Sequence, residues 1–143
     1  MIYIGADHGG FKLKDTIKSW LTEMEFDYQD VGDFEFNLDD DYVDFALEVV
    51  ANIKNDDDRG ILICRSGVGM DMVANRSKHI RCGLGINADQ VGASRKDDDI
   101  NVLAIASDYT DMNNIKEMIT NFLVTKFSGE GRYVSRLKKI KEL

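Results

Sequence analysis

Short apolar runs alternate with stretches of helical periodicity along the whole chain, and that alternation limits the fold more than any other feature. The runs are Ile2–Gly5, Phe26–Val31, Gly60–Cys64, Ile80–Ile86 and Asn101–Ala106. A helix is predicted from about Phe11 to Met24, with Leu13, Ile17, Trp20 and Leu21 on one face. Others are predicted from Tyr42 to Asn52, from Met70 to Asn75, briefly from Asp89 to Ser94, and from Met112 to Phe127. The sequence lacks proline, so element ends are read from glycine, asparagine and aspartate. Apolar strands separated by helices imply a parallel sheet covered on both faces. Right-handed crossovers then give an α/β fold, a Rossmann-like three-layer α-β-α sandwich with a parallel five-stranded sheet. The length of 143 residues suits one domain, residues 1–143, carrying a basic helical tail at about 130–143.

The formal net charge of −8 argues against nucleic-acid or anionic-membrane partners, although a few local arginines suffice for a small anionic ligand. No apolar run approaches membrane-spanning length. Asp7 follows the N-terminus too soon for a secretory leader, and the two cysteines, Cys64 and Cys82, form no Cys-x-x-Cys pair or zinc cluster. A cytoplasmic, reduced protein without a metal is the expectation. The acidic triplets 39–41, 56–58 and 97–99 read as solvated loops.

Four segments carry candidate chemistry. In Asp7-His8-Gly9-Gly10, a strand ends in an acid, an imidazole and two glycines before a helix. Such a loop binds anionic or hydroxylated ligands, while the plainer reading is that Asp7 caps the helix. In Cys64-Arg65-Ser66-Gly67-Val68-Gly69, a thiol precedes a glycine-rich turn that opens a helix. Backbone N–H groups there stabilise an anion, and the helix end would lower the thiol's pKa and suit it to act as a base. The turn lacks the Lys-Ser/Thr ending of a P-loop. Cysteine is often buried simply for packing, which is how Cys82 is read. Asp97-Asp98-Asp99-Ile100-Asn101 precedes the fifth strand. In the tail, Arg132 and Arg136 share a helix face and can clamp a phosphate, or are merely part of a basic helix end with Lys138, Lys139 and Lys141. Strands one, three and five end on one sheet edge, so these segments are expected to converge there.

Together these motifs resemble the ribose-5-phosphate isomerase B family, which includes galactose-6-phosphate isomerase subunits. The resemblance spans essentially the whole chain. It is carried by Gly5-Ala6-Asp7-His8-Gly9-Gly10-Phe11-x-Leu13-Lys14, Ile63-Cys64-x-Ser66-Gly67-Val68-Gly69-Met70, Ala74-Asn75-Arg76, Ile80-Arg81, Asn101-Val102-Leu103 and Gly131-Arg132. It implies a metal- and cofactor-independent aldose–ketose isomerase acting through a cis-enediolate, with ribose 5-phosphate and ribulose 5-phosphate as the default pair. It also implies a homodimer with shared active sites, a tetramer being the alternative. Cys64 would move the proton between C1 and C2, and Ser66 the hydroxyl and carbonyl protons. Gly67, Val68 and Gly69 would hold the enediolate oxygen. Asp7 and His8 would bind the ring oxygen or the phosphate, Tyr42 would line the pocket, and Arg132 and Arg136 would hold the phosphate.

Six positions depart from the family pattern. Asp97-Asp98 stands where a ring-opening histidine and an asparagine are usual, and Asp108 where an arginine is. Arg65 replaces glycine, Tyr133 histidine and Val43 proline. Asp97 is a candidate ring-opening group, poorly matched to donating a proton near pH 7, and Asp98 a candidate substrate contact. Arg65 would return a cation to the pocket. Two alternatives follow: an isomerase for another or acyclic sugar phosphate, and a sugar-phosphate-binding protein without catalysis. A flavodoxin-like nucleotide binder is weaker, since the Gly-x-Gly-x-x-Gly fingerprint is absent.

Overall fold

The structure, a computed structural model, describes residues 1–143. Its elements are β1 (Ile2–Ala6), α1 (Phe11–Glu23), β2 (Tyr28–Asp30), α2 (Tyr42–Asn52), β3 (Arg59–Cys64) and α3 (Val68–Ala74). They continue with β4 (Cys82–Leu84), α4 (Ala88–Asp98), β5 (Val102–Ala106), α5 (Met112–Val124) and α6 (Gly131–Lys141). The strands form one sheet in the order β2-β1-β3-β5-β4, and every pairing is parallel. The predicted five-stranded α/β sandwich is the observed fold.

Strand alternation divides the core in two. Ile61 and Ile63 of β3, with Leu103 and Ile105 of β5, meet Ile17 and Leu21 of α1, Val91 of α4 and Ile115, Met118 and Phe122 of α5. Leu62 and Cys64 face the other way, onto Ala46, Val49 and Val50 of α2 and Met70 and Ala74 of α3. Successive side chains on a strand point to opposite faces, so a strand covered by helices on both must be apolar throughout. That is why β3 and β5 read as unbroken apolar runs.

The sequence misjudges several boundaries. β2 and β4 are three-residue edge strands, shorter than the predicted runs, because each pairs on one side only. α4 reaches Asp98 rather than Ser94. Buried Arg95 holds that extra turn: its Nη1 donates to Asp99 Oδ1 at 2.8 Å and to the Ile100 carbonyl at 2.5 Å. Asp97 and Asp98 are therefore helical and not part of a loop. The tail helix α6 begins at Gly131, carries no buried residue and touches little besides α4.

The acidic triplets are not purely solvated loops either. Asp58 is buried and accepts from the backbone N–H of Lys54 at 3.0 Å and of Asn55 at 2.9 Å, and from the N-terminal ammonium at 3.4 Å. Asp99 bridges Arg81 and Arg95. Asp41 caps α2 through the Val43 N–H.

Candidate active site

The chain order places a switch point between β1 and β3, because the connection from β2 crosses β1 to reach β3. In open α/β sheets, ligands bind outside the carboxyl ends of strands at such a point. Here the loop after β1 carries Asp7 and His8, and the turn after β3 carries Arg65 to Gly67. The two are joined tightly. A Cβ at Gly9 would lie 2.5 Å from Arg65 Cγ, and one at Gly10 would lie 2.6 Å from the Ile63 carbonyl oxygen. The end of β5 closes the group: Ser107 N–H donates to the Cys64 carbonyl at 2.9 Å, and Ser107 Oγ donates to the Gly9 carbonyl at 2.8 Å.

Cys64 ends β3 on the α2/α3 side of the sheet and is buried. The chain reverses after it through Gly67, whose φ of 72° lies in the left-handed region. That reversal aims the Gly67 N–H at Cys64 Sγ, 3.2 Å away. The N–H groups of Met70 and Ser66 also favour the thiolate. Burial and the nearby Asp7 charge outweigh them, so the thiol sits above its ordinary pKa, opposite to the lowering expected of a helix end. Ser66 and Val68 are exposed beside it, and the Tyr42 ring packs against Gly69, where a Cβ would lie 2.7 Å from the ring carbons.

Asp7 Oδ1 accepts from the N–H of Gly9 at 2.9 Å and of Gly10 at 3.2 Å, which leaves Oδ2 free. Burial raises its pKa; the His8 charge and the two N–H donors oppose the rise. Asp40, absent from the predicted site, holds His8 from two sides. Its Oδ2 accepts from the His8 backbone N–H at 2.8 Å, and its Oδ1 lies 2.6 Å from His8 Nδ1. Arg65 Nη1 and Asp108 Oδ2 pair loosely at 3.7 Å over the same mouth.

Four predicted residues do not join this group. β5 starts beside Gly60 and ends beside Cys64, so α4 delivers Asp97 and Asp98 to the opposite edge of the sheet. About 3.3 Å per strand residue puts the two edges on the order of 15 Å apart. The tail arrives at that far edge: the Ser128 N–H donates to the Lys96 carbonyl, and Arg95 Nε donates to the Thr125 carbonyl. Arg132 and Arg136 flank the Tyr133 ring there, with their Cζ atoms 5.3 and 5.6 Å from its centre. Convergence thus holds for Asp7, His8, Tyr42, Cys64, Arg65, Ser66, Gly67, Val68 and Gly69, and fails within one chain for Asp97, Asp98, Arg132 and Arg136. For Asp97 and Asp98 the reason is strand polarity, since a segment that precedes a parallel strand cannot sit at that strand's carboxyl end; for Arg132 and Arg136 it is α5, which carries the chain back from that end.

Residues 2–140 match the family described as Ribose/Galactose Isomerase. A Mycoplasma genitalium protein named "Probable ribose-5-phosphate isomerase B" is 39% identical over 142 residues, covering 97% of this chain and 92% of that protein. The crystal structure of Mycoplasma genitalium ribose-5-phosphate isomerase B with bound ribulose-5-phosphate superposes with a TM-score of 0.93 at 35% identity, covering 99% of this chain and 93% of the other. The type B ribose 5-phosphate isomerase of Trypanosoma brucei also superposes with a TM-score of 0.93 at 35% identity, covering 99% and 96% of the two chains.

Proposed function

The chain belongs to the ribose/galactose isomerase family and is an aldose–ketose isomerase acting on a sugar phosphate; we propose that it interconverts ribose 5-phosphate and ribulose 5-phosphate through a cis-enediolate. The observation that carries this reading is Cys64 Sγ within the glycine turn, 3.2 Å from the Gly67 N–H, with Asp7 close enough to raise the thiol's pKa. As thiolate, Cys64 takes the proton from the carbon beside the carbonyl and returns it to the neighbouring carbon. Ser66 passes the hydroxyl proton between the two oxygens. The N–H groups from Gly67 to Gly69 stabilise the charge that develops on oxygen, an effect worth about 3–4 kcal/mol per well-placed donor. Tyr42 walls the pocket over Gly69.

The phosphate is held by Arg132 and Arg136 of a second copy, so the site is shared in a homodimer. The reading is supported by the distance between the two groups of residues within one chain. It is supported equally by α6, whose Val134 and Ile140 are exposed with nothing in the chain to cover them. Asp97 and Asp98 come to the same shared site from the partner's α4. We assign the chain to a single domain, residues 1–143, and to the cytoplasm.

Isomerisation of ribose 5-phosphate by the wild type and by Cys64→Ala tests the chemistry. A loss of about 10²- to 10⁴-fold in kcat is expected for removal of a proton-transfer group. Equal activity in both proteins, or none in either, sinks the reading. The Arg65–Asp108 pair favours one variation, a preference for a sugar phosphate of different length, because it alters the charge at the mouth. Relative kcat/KM for pentose and hexose phosphates decides it, with the higher value naming the substrate.

A further inference from the structure

The hydrogen bonds around residue 8 define a carboxylate–imidazole pair with a fixed orientation. Asp40 ends a turn closed by its own N–H to the Asn37 carbonyl, and its side chain is only 6% exposed. One of its oxygens takes the His8 backbone N–H and the other meets Nδ1 at 2.6 Å. The Phe36 ring stands edge-on to the imidazole, with centroids 6.5 Å apart. Nδ1 is therefore committed, while Nε2 has no protein partner and the side chain is 21% exposed. A carboxylate on one ring nitrogen fixes the tautomer and leaves the other nitrogen for chemistry. The free Oδ2 of Asp7 belongs to the next residue, and ligating atoms of Asp7, His8 and Asp40 all lie within 4.8 Å of one another. The chain's one other histidine, His79, donates from Nε2 to the Val50 carbonyl at 3.3 Å, away from this loop.

We propose that His8, held by Asp40, opens the sugar ring in concert with Asp7, and that Asp40 is the positioning residue for that step. The proposal rests on the isomerase reading, since an aldose phosphate that closes into a furanose must open before an enediolate can form. The imidazolium gives its Nε2 proton to the ring oxygen as the bond from that oxygen to C1 breaks, and the bond's electron pair goes to the oxygen. Asp7 takes the proton of the C1 hydroxyl, and the O–H electron pair becomes the second bond of the carbonyl. The imidazole left behind keeps its proton on Nδ1, against Asp40. Asp7 and His8 return to their starting forms by proton exchange with water.

The test compares ribose 5-phosphate with 4-deoxyribose 5-phosphate, which lacks the hydroxyl that closes the ring. Asp40→Asn is expected to lower kcat on ribose 5-phosphate by about 10- to 100-fold, the scale of one proton-transfer group, and to leave kcat on the open-chain analogue within about twofold. His8→Gln is expected to show the same split more strongly. Equal losses on both substrates, or a raised KM on both with kcat unchanged, would reduce His8 to a binding contact and overturn the proposal. A wild type that turns over neither compound defeats the isomerase reading and this proposal with it. Imidazole ¹⁵N shifts of the wild type give a second check that no variant can spoil by misfolding. Neutral His8 is expected to carry its proton on Nδ1, and an Nε2–H tautomer overturns the proposal.

Discussion

Each acidic triplet contains an aspartate that serves a partly buried donor, beside the cap that Asp41 makes on α2. Asp40 takes the His8 N–H, Asp58 takes two backbone N–H groups and an ammonium, and Asp99 takes two arginines. Burial pushes Asp58 up, but its two backbone N–H donors, the ammonium and Asn55 Nδ2, 3.1 Å away, hold it below the ordinary carboxylate range. Asp30, also partly buried, is held down by Lys14, Lys18 and the Gly32 N–H. For groups depressed on folding, the stabilisation is complete above the unfolded value near ~3.9 and is lost as pH falls through the lower folded values. Urea midpoints are therefore expected to stay level from neutral pH to about 5 and to drop below about 4, with a smaller drop for Asp58→Asn. Burial raises the Cys64 thiol's pKa and the Asp7 charge adds to the rise, so Asp7→Asn is expected to speed iodoacetamide labelling of Cys64 near pH 8; an unchanged rate refutes the coupling. Asp108→Asn removes an exposed charge that holds Arg65. It should leave the melting temperature almost unchanged and lower KM for a sugar phosphate about two- to tenfold. The residue types at the site were legible because Asp7, His8, Cys64 and the glycine turn are contiguous at strand ends. Asp40 was not, since its partner lies 32 positions away, beyond α1 and β2, and Asp40 itself sits in a loop with no periodicity.

At the scale of elements, the apolar strands were the most readable, because burial on both faces leaves few polar choices. α4 was the least readable. It buries only Val91 and Arg95, so no apolar stripe marked its last turn. The turn between β3 and α3 is the most demanding local structure. A Cβ at Gly67 would meet Leu84 Cδ1 at 2.5 Å and would also stand at a φ of 72°. Gly67→Ala is expected to cost about 1–2 kcal/mol from backbone conformation, and the contact adds about 1–3 kcal/mol. Chemical denaturation would measure the sum, and a loss below 1 kcal/mol would mean that the turn relaxes. Phe122, fully buried between α5 and the sheet, should cost about 3–5 kcal/mol as alanine while leaving KM unchanged, since it touches none of the site residues.

The whole molecule carries its two groups of polar residues at opposite edges of one sheet. If each catalytic centre joins the Cys64 edge of one copy to the α6 edge of another, inactive variants should rescue each other. Mixing Cys64→Ala with Arg136→Ala, after reversible dissociation, is expected to restore up to about a quarter of wild-type activity, since half the dimers are mixed and each then holds one intact site. No recovery would place all the residues of a site in one chain. Light scattering at assay concentration checks the assembly directly. The exposed tail helix adds a further consequence. Its 11 residues, none of them buried, fall short of the length at which an isolated helix holds itself in water. If two copies share a site as proposed, the order of α6 depends on encounter between chains, and dilution acts on folding and catalysis together. Amide protection in residues 131–141 and the thermal midpoint should both rise with protein concentration. In a dilute solution the protein would then lose the helix that carries Arg132 and Arg136 before its sheet.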